Sequence, residues 1–175
     1  TFGDTTTLTA GVALIGAPGA RIITSVAGSA ITDIINVVGV DNVLISGLNI
    51  VGDADTNPGS THVGIRITES ENVHITNCTI ENVKHGIMLN DATTSRVAKR
   101  VWIDNNRIED YLGRAIYAYT SEDVTIESNY IAISTSLNHP TSATGANAIE
   151  FVPGTGGEVQ TCRIVNNSIV RARRN

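Results

Sequence analysis

Val73-His-Ile-Thr-Asn-Cys-Thr-Ile80 reads as two short strands of period two joined at a turn, and the chain repeats it. The copies are Val43-Leu-Ile-Ser-Gly-Leu-Asn-Ile50, Val101-Trp-Ile-Asp-Asn-Asn-Arg-Ile108, Val124-Thr-Ile-Glu-Ser-Asn-Tyr-Ile131 and Cys162-Arg-Ile-Val-Asn-Asn-Ser-Ile169. An apolar residue is followed by Ile two later and by Ile again five after that. Val12-Ala-Leu-Ile-Gly16, with Arg21-Ile-Ile-Thr24, is an earlier relative. A second motif lies between the copies: Gly64-Ile-Arg-Ile67, Gly86-Ile-Met-Leu89, Ala115-Ile-Tyr-Ala118 and Ala148-Ile-Glu-Phe151, with Ile34-Ile-Asn-Val37 before them. Each repeat therefore carries three short strands. Alternation at period two, with no 3.6-residue pattern, excludes a helical solenoid.

Ile45, Ile75, Ile103, Ile126 and Ile164 are 30, 28, 23 and 38 residues apart. Three strands per turn with loops of variable length describe an all-β parallel β-helix of about six coils. Successive coils stack at roughly 4.8 Å, the ordinary strand spacing, so Ile lies over Ile along the axis. Composition agrees. The 175 residues include 22 Ile, 17 Val and 21 Thr against 7 Leu, and stiff β-branched side chains favour strands over helices. The chain reads as one domain over residues 1–175.

Asn106, Asn129 and Asn167 share one turn position, and Asn77, Asn105 and Asn166 the position before it. An amide can bond its own turn backbone and the amide one coil away, and Asn tolerates left-handed backbone. These asparagines read as a structural ladder.

The stacked Val-x-Ile-x-x-Asn-x-Ile and Gly-Ile-x-Ile units resemble the right-handed, pectate-lyase-like β-helix superfamily. That group holds polysaccharide lyases, glycoside hydrolases, uronan epimerases and phage tailspikes. The segment Gly11-Val-Ala-Leu-Ile-Gly-Ala-Pro-Gly-Ala-Arg-Ile22 is similar to the first coils of such proteins. The resemblance implies right-handed winding, in line with the rule for parallel crossovers. It implies a polysaccharide partner on the outer face of the Gly-Ile sheet, and an extracellular, cell-surface or virion setting. It does not choose a reaction, because the shared repeat is a packing signature.

Alternation alone sends Asn36, Arg66, Met88, Tyr117 and Glu150 outward on that sheet in one row, and Val38, Thr68, Asn90, Tyr119 and Val152 in a second. His85, Arg114 and Asn147 sit just before their strands. Arg66, His85, Arg114, Tyr117, Tyr119 and Glu150 are the candidate carbohydrate-binding residues. Arginine can grip a uronate carboxylate through two parallel bonds, and tyrosine offers a flat apolar ring with a hydroxyl. The alternative is an ordinary solvated sheet on a non-catalytic structural β-helix. Insertions at residues 51–62 and 132–147, with shorter ones at 90–100 and 152–160, flank this sheet and supply walls. No catalytic residue is assigned. Asp91 and Glu150 are two coils apart, and no paired aspartates of the polygalacturonase pattern are present.

Asp53, Asp55 and Asn57 set oxygen ligands at alternate positions, so calcium is the one cofactor the chain suggests. A polar turn is the simpler reading, because no Glu follows at the twelfth position. A net charge of −5 without a basic run argues against nucleic acid. No apolar run approaches the ~18 residues of a membrane span. The two cysteines, Cys78 and Cys162, read as three coils apart and free. Cys162 takes an inward position, so it is expected to be the less reactive. Trp102 falls outward on another sheet beside His74 and Thr125, and reads as an oligomer contact or packed surface residue. No amphipathic cap is evident at either end, so a homo-oligomer or further coils are expected to cover the ends.

Overall fold

A computed structural model of the chain describes residues 6–8, 11–23, 33–54, 60–90, 97–133, 147–153 and 159–171. Among them every regular element is a strand, and neighbouring coils pair in parallel. The strands line three faces. The first holds Ala13–Ile15, Val43–Ser46, Glu71–Thr76, Ala98–Asp104, Ser121–Glu127 and Gln160–Val165. The second holds Arg21–Ile23, Asn49–Val51, the openings of the long strands Thr79–Leu89 and Arg107–Tyr119, then Tyr130–Ile133 and Ser168–Arg171. The third holds Thr6–Thr7, Asp33–Val38, Val63–Thr68, the closing halves of the two long strands, and Asn147–Val152. Among the described residues each face thus has six strands, one per coil. The two long strands cross a corner without a break, because Asn82 and Asp110 turn it in left-handed backbone, at φ 57° and 52°.

The registers follow the repeat. Ile45 pairs with Ile75, Ile75 with Ile103, Ile103 with Ile126 and Ile126 with Ile164. On the third face Ile35, Ile65, Ile87, Ile116 and Ile149 form the same kind of column. From Ile45 to Ile126 and from Ile35 to Ile116 these residues are fully buried, in one continuous aliphatic core. Aliphatic stacking suits a solenoid, because each coil presents the same residue at the same height and buries it against its own copy.

The glycines before Ile65 and Ile87 have a steric cause. A Cβ on Gly86 would lie 2.5 Å from the Ala115 carbonyl oxygen and 2.7 Å from a methyl of Ile108. A Cβ on Gly64 would lie 2.7 Å from the Gly86 oxygen. The corner leading into this face therefore leaves little room for side chains.

The asparagine turn divides its work between two positions. Gly47, Asn77, Asn105, Ser128 and Asn166 take the left-handed position, with φ between 54° and 71°. The next residue points into the coil and carries the ladder. Asn106 and Asn129 each present Oδ1 to the preceding coil, accepting from the backbone N–H of Cys78 and Asn106 at 2.9 Å. Each amide nitrogen donates backwards to a strand carbonyl, from Asn106 to Ile75 at 3.0 Å and from Asn129 to Ile103 at 2.8 Å. Asn167 repeats the pattern. Cys78 opens the ladder, its thiol facing the Ile45 carbonyl at 3.9 Å where later coils use an amide.

Both cysteines are free, but their exposure reverses the sequence expectation: Cys78 is buried and Cys162 exposed. Cys162 does occupy the inward Val column, paired with Val124. No described coil stacks beyond it, and Ile164 beside it is 48% exposed. Burial raises the Cys78 pKa, and partial desolvation with the nearby Asp123 charge raises that of Cys162, so access decides reactivity. Titration of native protein with a thiol reagent is expected to modify one cysteine quickly and the second only on unfolding. Cys162→Ser should remove the fast phase; a fast phase surviving that change would contradict the coil assignment.

Candidate functional site

Register brings the outward side chains of the third face into rows running along the axis. One row is Asp33, Val63, His85, Arg114 and Asn147; the next is Asn36, Arg66, Met88, Tyr117 and Glu150. Beyond them Tyr119 pairs with Val152.

Around Tyr117 these rows close into a connected patch. The His85 ring stacks on Tyr117 with centroids 5.5 Å apart and planes at 29°. The Arg114 guanidinium lies over the Tyr117 ring, 4.4 Å from its centroid. Tyr119 leans on Tyr117 at 4.6 Å, and the two hydroxyls hydrogen-bond. Arg114 Nε donates to Glu150 Oε2 at 2.7 Å, and Asn147 Nδ2 donates to the same oxygen at 2.7 Å. Asn147 is exposed, while Arg114, Tyr119 and Glu150 are half-buried.

A β-bulge builds this arrangement. Val83 pairs with Tyr111 and His85 with Arg114, so the later coil spends one extra residue between them. Bulges bend a strand and re-aim its side chains. Here the bulge brings Gly113 under the imidazole, where a Cβ would lie 2.6 Å from His85 Cε1. It also lets the Arg114 backbone N–H donate to His85 Nδ1 at 3.2 Å. The acceptor role at Nδ1 places the neutral ring's proton on Nε2.

Electrostatics follow from burial and pairing. Burial, helped by the positive charges of Arg114, Lys84 and Arg66, lowers the His85 pKa to about 4. Burial and the bond to Tyr119 push Tyr117 up to about 12. The Arg114 and Asn147 bonds hold Glu150 below the usual carboxylate range. At neutral pH the patch thus contains a neutral imidazole, a protonated phenol and an Arg–Glu ion pair.

A pH dependence follows. The unfolded histidine titrates near ~6.5, and the native one near 4. Between these values the unfolded chain holds a proton that the native chain lacks, so stability is lost as pH falls through that window. Thermal melts at several pH values should show a steeper decline from pH ~6.5 to ~4 for the wild type than for His85→Asn. Parallel profiles would contradict the assignment.

The structure gathers five of the six sequence-predicted residues: His85, Arg114, Tyr117, Tyr119 and Glu150. Arg66 stands apart, with Met88 between it and Tyr117 in its row. Its Nε donates to Asp33 Oδ1 at 2.7 Å. Both arginines are thus already matched with carboxylates of the chain. Tyr117 points away from the core yet is only 7% exposed, packed with Val63 and Met88 in a small outer cluster. Asn90 is a correction. It does not continue the outward row, because its φ of 54° turns it inward, where it is fully buried. There it accepts from the Glu69 N–H at 3.0 Å and donates to the Thr120 carbonyl at 2.7 Å. Asn147 and Asp33 complete the pairs but were not among the candidates. Asp33 lies two residues before Ile35, as His85 does before Ile87, and that spacing was the available signal.

Of the calcium candidates, Asp55 and Asn57 lie outside the described residues. Asp53 is buried, accepts from Ser60 Oγ at 2.6 Å and pairs with His62 Nδ1 at 2.7 Å. Among the described residues no three His, Cys, Asp or Glu side chains converge as metal ligands. The insertions expected to wall the site also lie largely outside the described residues, at 55–59, 91–96, 134–146 and 154–158.

No curated protein and no solved structure matches the chain. A family model for the right-handed β-helix region matches residues 10–172, nearly the whole sequence, and the chain belongs to that family.

Proposed function

We propose that this β-helix binds an acidic polysaccharide along its third face, centred on Arg114, Asn147, Glu150 and Tyr119. One observation carries the reading: donors and an acceptor stand side by side at the edge of an aromatic pair, with Arg114 Nε and Asn147 Nδ2 on one Glu150 oxygen. Hydroxyls of one sugar unit can accept from Arg114 and Asn147 and donate to Glu150. A uronate carboxylate can share the Arg114 guanidinium, which presents five N–H donors. Tyr119 supplies an apolar edge to the ring.

Among the described residues this face shows no close carboxylate pair, and Asp91, which the sequence sets two coils from Glu150, lies outside them. Asp33 and Glu150 stand four coils apart on this face, roughly 20 Å at the strand spacing. A glycosidase pair needs about 5–9.5 Å. Two observations favour the second reading, a structural β-helix: the burial of Tyr117 and the pairing of Arg66 and Arg114 with Asp33 and Glu150.

Calorimetric titration with oligogalacturonate and oligoalginate separates the two. Arg114→Ala should weaken binding by about 1.5–3 kcal/mol, as for lost hydrogen bonds to a charged group. Arg107→Ala should leave it unchanged, because Arg107 lies on the second face, engaged with Glu109 and Tyr130. No binding by the wild type, or equal affinities for all three proteins, favours the structural reading.

A further inference from the structure

The first face has its own outward row: Leu44, His74, Trp102, Thr125 and Arg163. Trp102 is 43% exposed, unusual for the largest apolar side chain on a strand with polar neighbours. It borders a depression of about 500 Å³, lined also by His74, Asp104, Asn105, Glu127 and Ser128. Asp104 and Glu127 are register partners on adjacent coils. The turn residues that follow them, Asn105 and Ser128, both sit in left-handed backbone at φ 55° and 56°. The repeat thus sets two polar corners of the same backbone shape side by side, Asp104-Asn105 and Glu127-Ser128, with an indole beside them.

The polar groups are fixed before any ligand arrives. Asp104 Oδ1 contacts His74 Nε2, and Asp104 Oδ2 accepts from Thr76 Oγ1 at 3.0 Å and Asn105 Nδ2 at 2.7 Å. Glu127 Oε2 accepts from Arg163 at 3.0 Å. Binding then costs little side-chain ordering.

We propose that this pocket is a glycan subsite for a neutral pyranose unit, distinct from the third face and independent of its reading. A pyranose presents a flat face of C–H groups, weakly positive, which suits the electron-rich indole face. Its ring-edge hydroxyls are donors, suited to Glu127, and acceptors, suited to Asn105 and Ser128. With Arg163 already on Glu127 and His74 on Asp104, the corner offers a uronate no unmatched cation, which favours a neutral sugar.

The chain contains one tryptophan, so intrinsic fluorescence reports on this pocket alone. The probes are hexasaccharides of β-1,4-glucose, β-1,3-glucose, α-1,4-glucose and β-1,4-mannose, with hexagalacturonate as the acidic arm. The expected result is a saturable change in Trp102 emission with at least one neutral probe and none with hexagalacturonate. Glu127→Gln should raise the apparent Kd about tenfold, as for a lost hydrogen bond to a charged acceptor. Trp102→Ala should abolish calorimetric binding of the same probe, while Arg114→Ala should leave the fluorescence titration unchanged. Thermal melts confirm that each variant is folded.

Several results would overturn the proposal. One is no saturable change with any neutral probe; another is a preference for hexagalacturonate. A titration that Glu127→Gln leaves unchanged, or that Arg114→Ala removes, would also do so. An emission that shifts with protein concentration and ignores sugar would assign Trp102 to a contact between copies instead.

Discussion

Ile103→Ala is expected to destabilise the fold by about 2–5 kcal/mol, the range for deleting a large buried aliphatic side chain. Ile103 is fully buried between Ile75 and Ile126 in adjacent coils. The coils cannot move together to fill the space, because their separation is fixed at the hydrogen-bonding distance of the strands. The cavity therefore stays open and its full cost is felt. Urea or thermal unfolding against wild type measures it. A loss under ~0.5 kcal/mol, the scale of surface changes, would mean that the side chain is not in the core.

Asn129→Leu is the second large effect, of similar size and different origin. Asn129 Oδ1 accepts from the backbone N–H and the side chain of Asn106, at 2.9 and 3.1 Å. Its amide nitrogen donates to Asn167 Oδ1 at 3.0 Å and to the Ile103 carbonyl at 2.8 Å. Leucine matches its size roughly but leaves two buried backbone groups without these partners. Each orphaned group costs about 1–3 kcal/mol, so a total of about 2–6 kcal/mol is expected from equilibrium unfolding. Leu48 occupies the same position in an earlier coil, so leucine is sterically acceptable there; the cost arises from interrupting the ladder. Unchanged stability would show that the amides are ornamental.

Period two and the repeat made the architecture legible before any coordinates. Aligning the Val-x-Ile motifs predicts that Ile75 lies against Ile103, and aligning the Gly-Ile-x-Ile motifs that Tyr117 lies against Glu150, because parallel coils in register place equivalent positions together. Direction, however, is not exposure. Tyr117 points outward and is buried, while Cys162 points inward and is exposed, because cover depends on what lies above each residue. Nor does alternation survive a left-handed residue: Asn90 turns in where the pattern sends it out. The pairing of Arg114 with Glu150 and of Arg66 with Asp33 was hidden for another reason, since candidates were chosen by type and face without matching opposite charges across coils. The bulge at Gly113 did leave a trace, as Ile108 to Ile116 spans eight residues where Ile80 to Ile87 spans seven.

Both proposed sites depend on the stacking order of the coils, and one distance tests it. Spin labels at cysteines replacing Leu44 and Arg163, in a background with Cys78 and Cys162 changed to serine, lie 119 residues apart in sequence. Both positions fall in one outward row, joined through His74, Trp102 and Thr125 by four successive pairings. Pulsed electron–electron double resonance is predicted to give a narrow distribution near 19 Å, four strand spacings, widened by a few ångström for the label arms. A broad distribution, or a mean above about 35 Å, would contradict the in-register stack of parallel coils on which both proposed glycan sites depend.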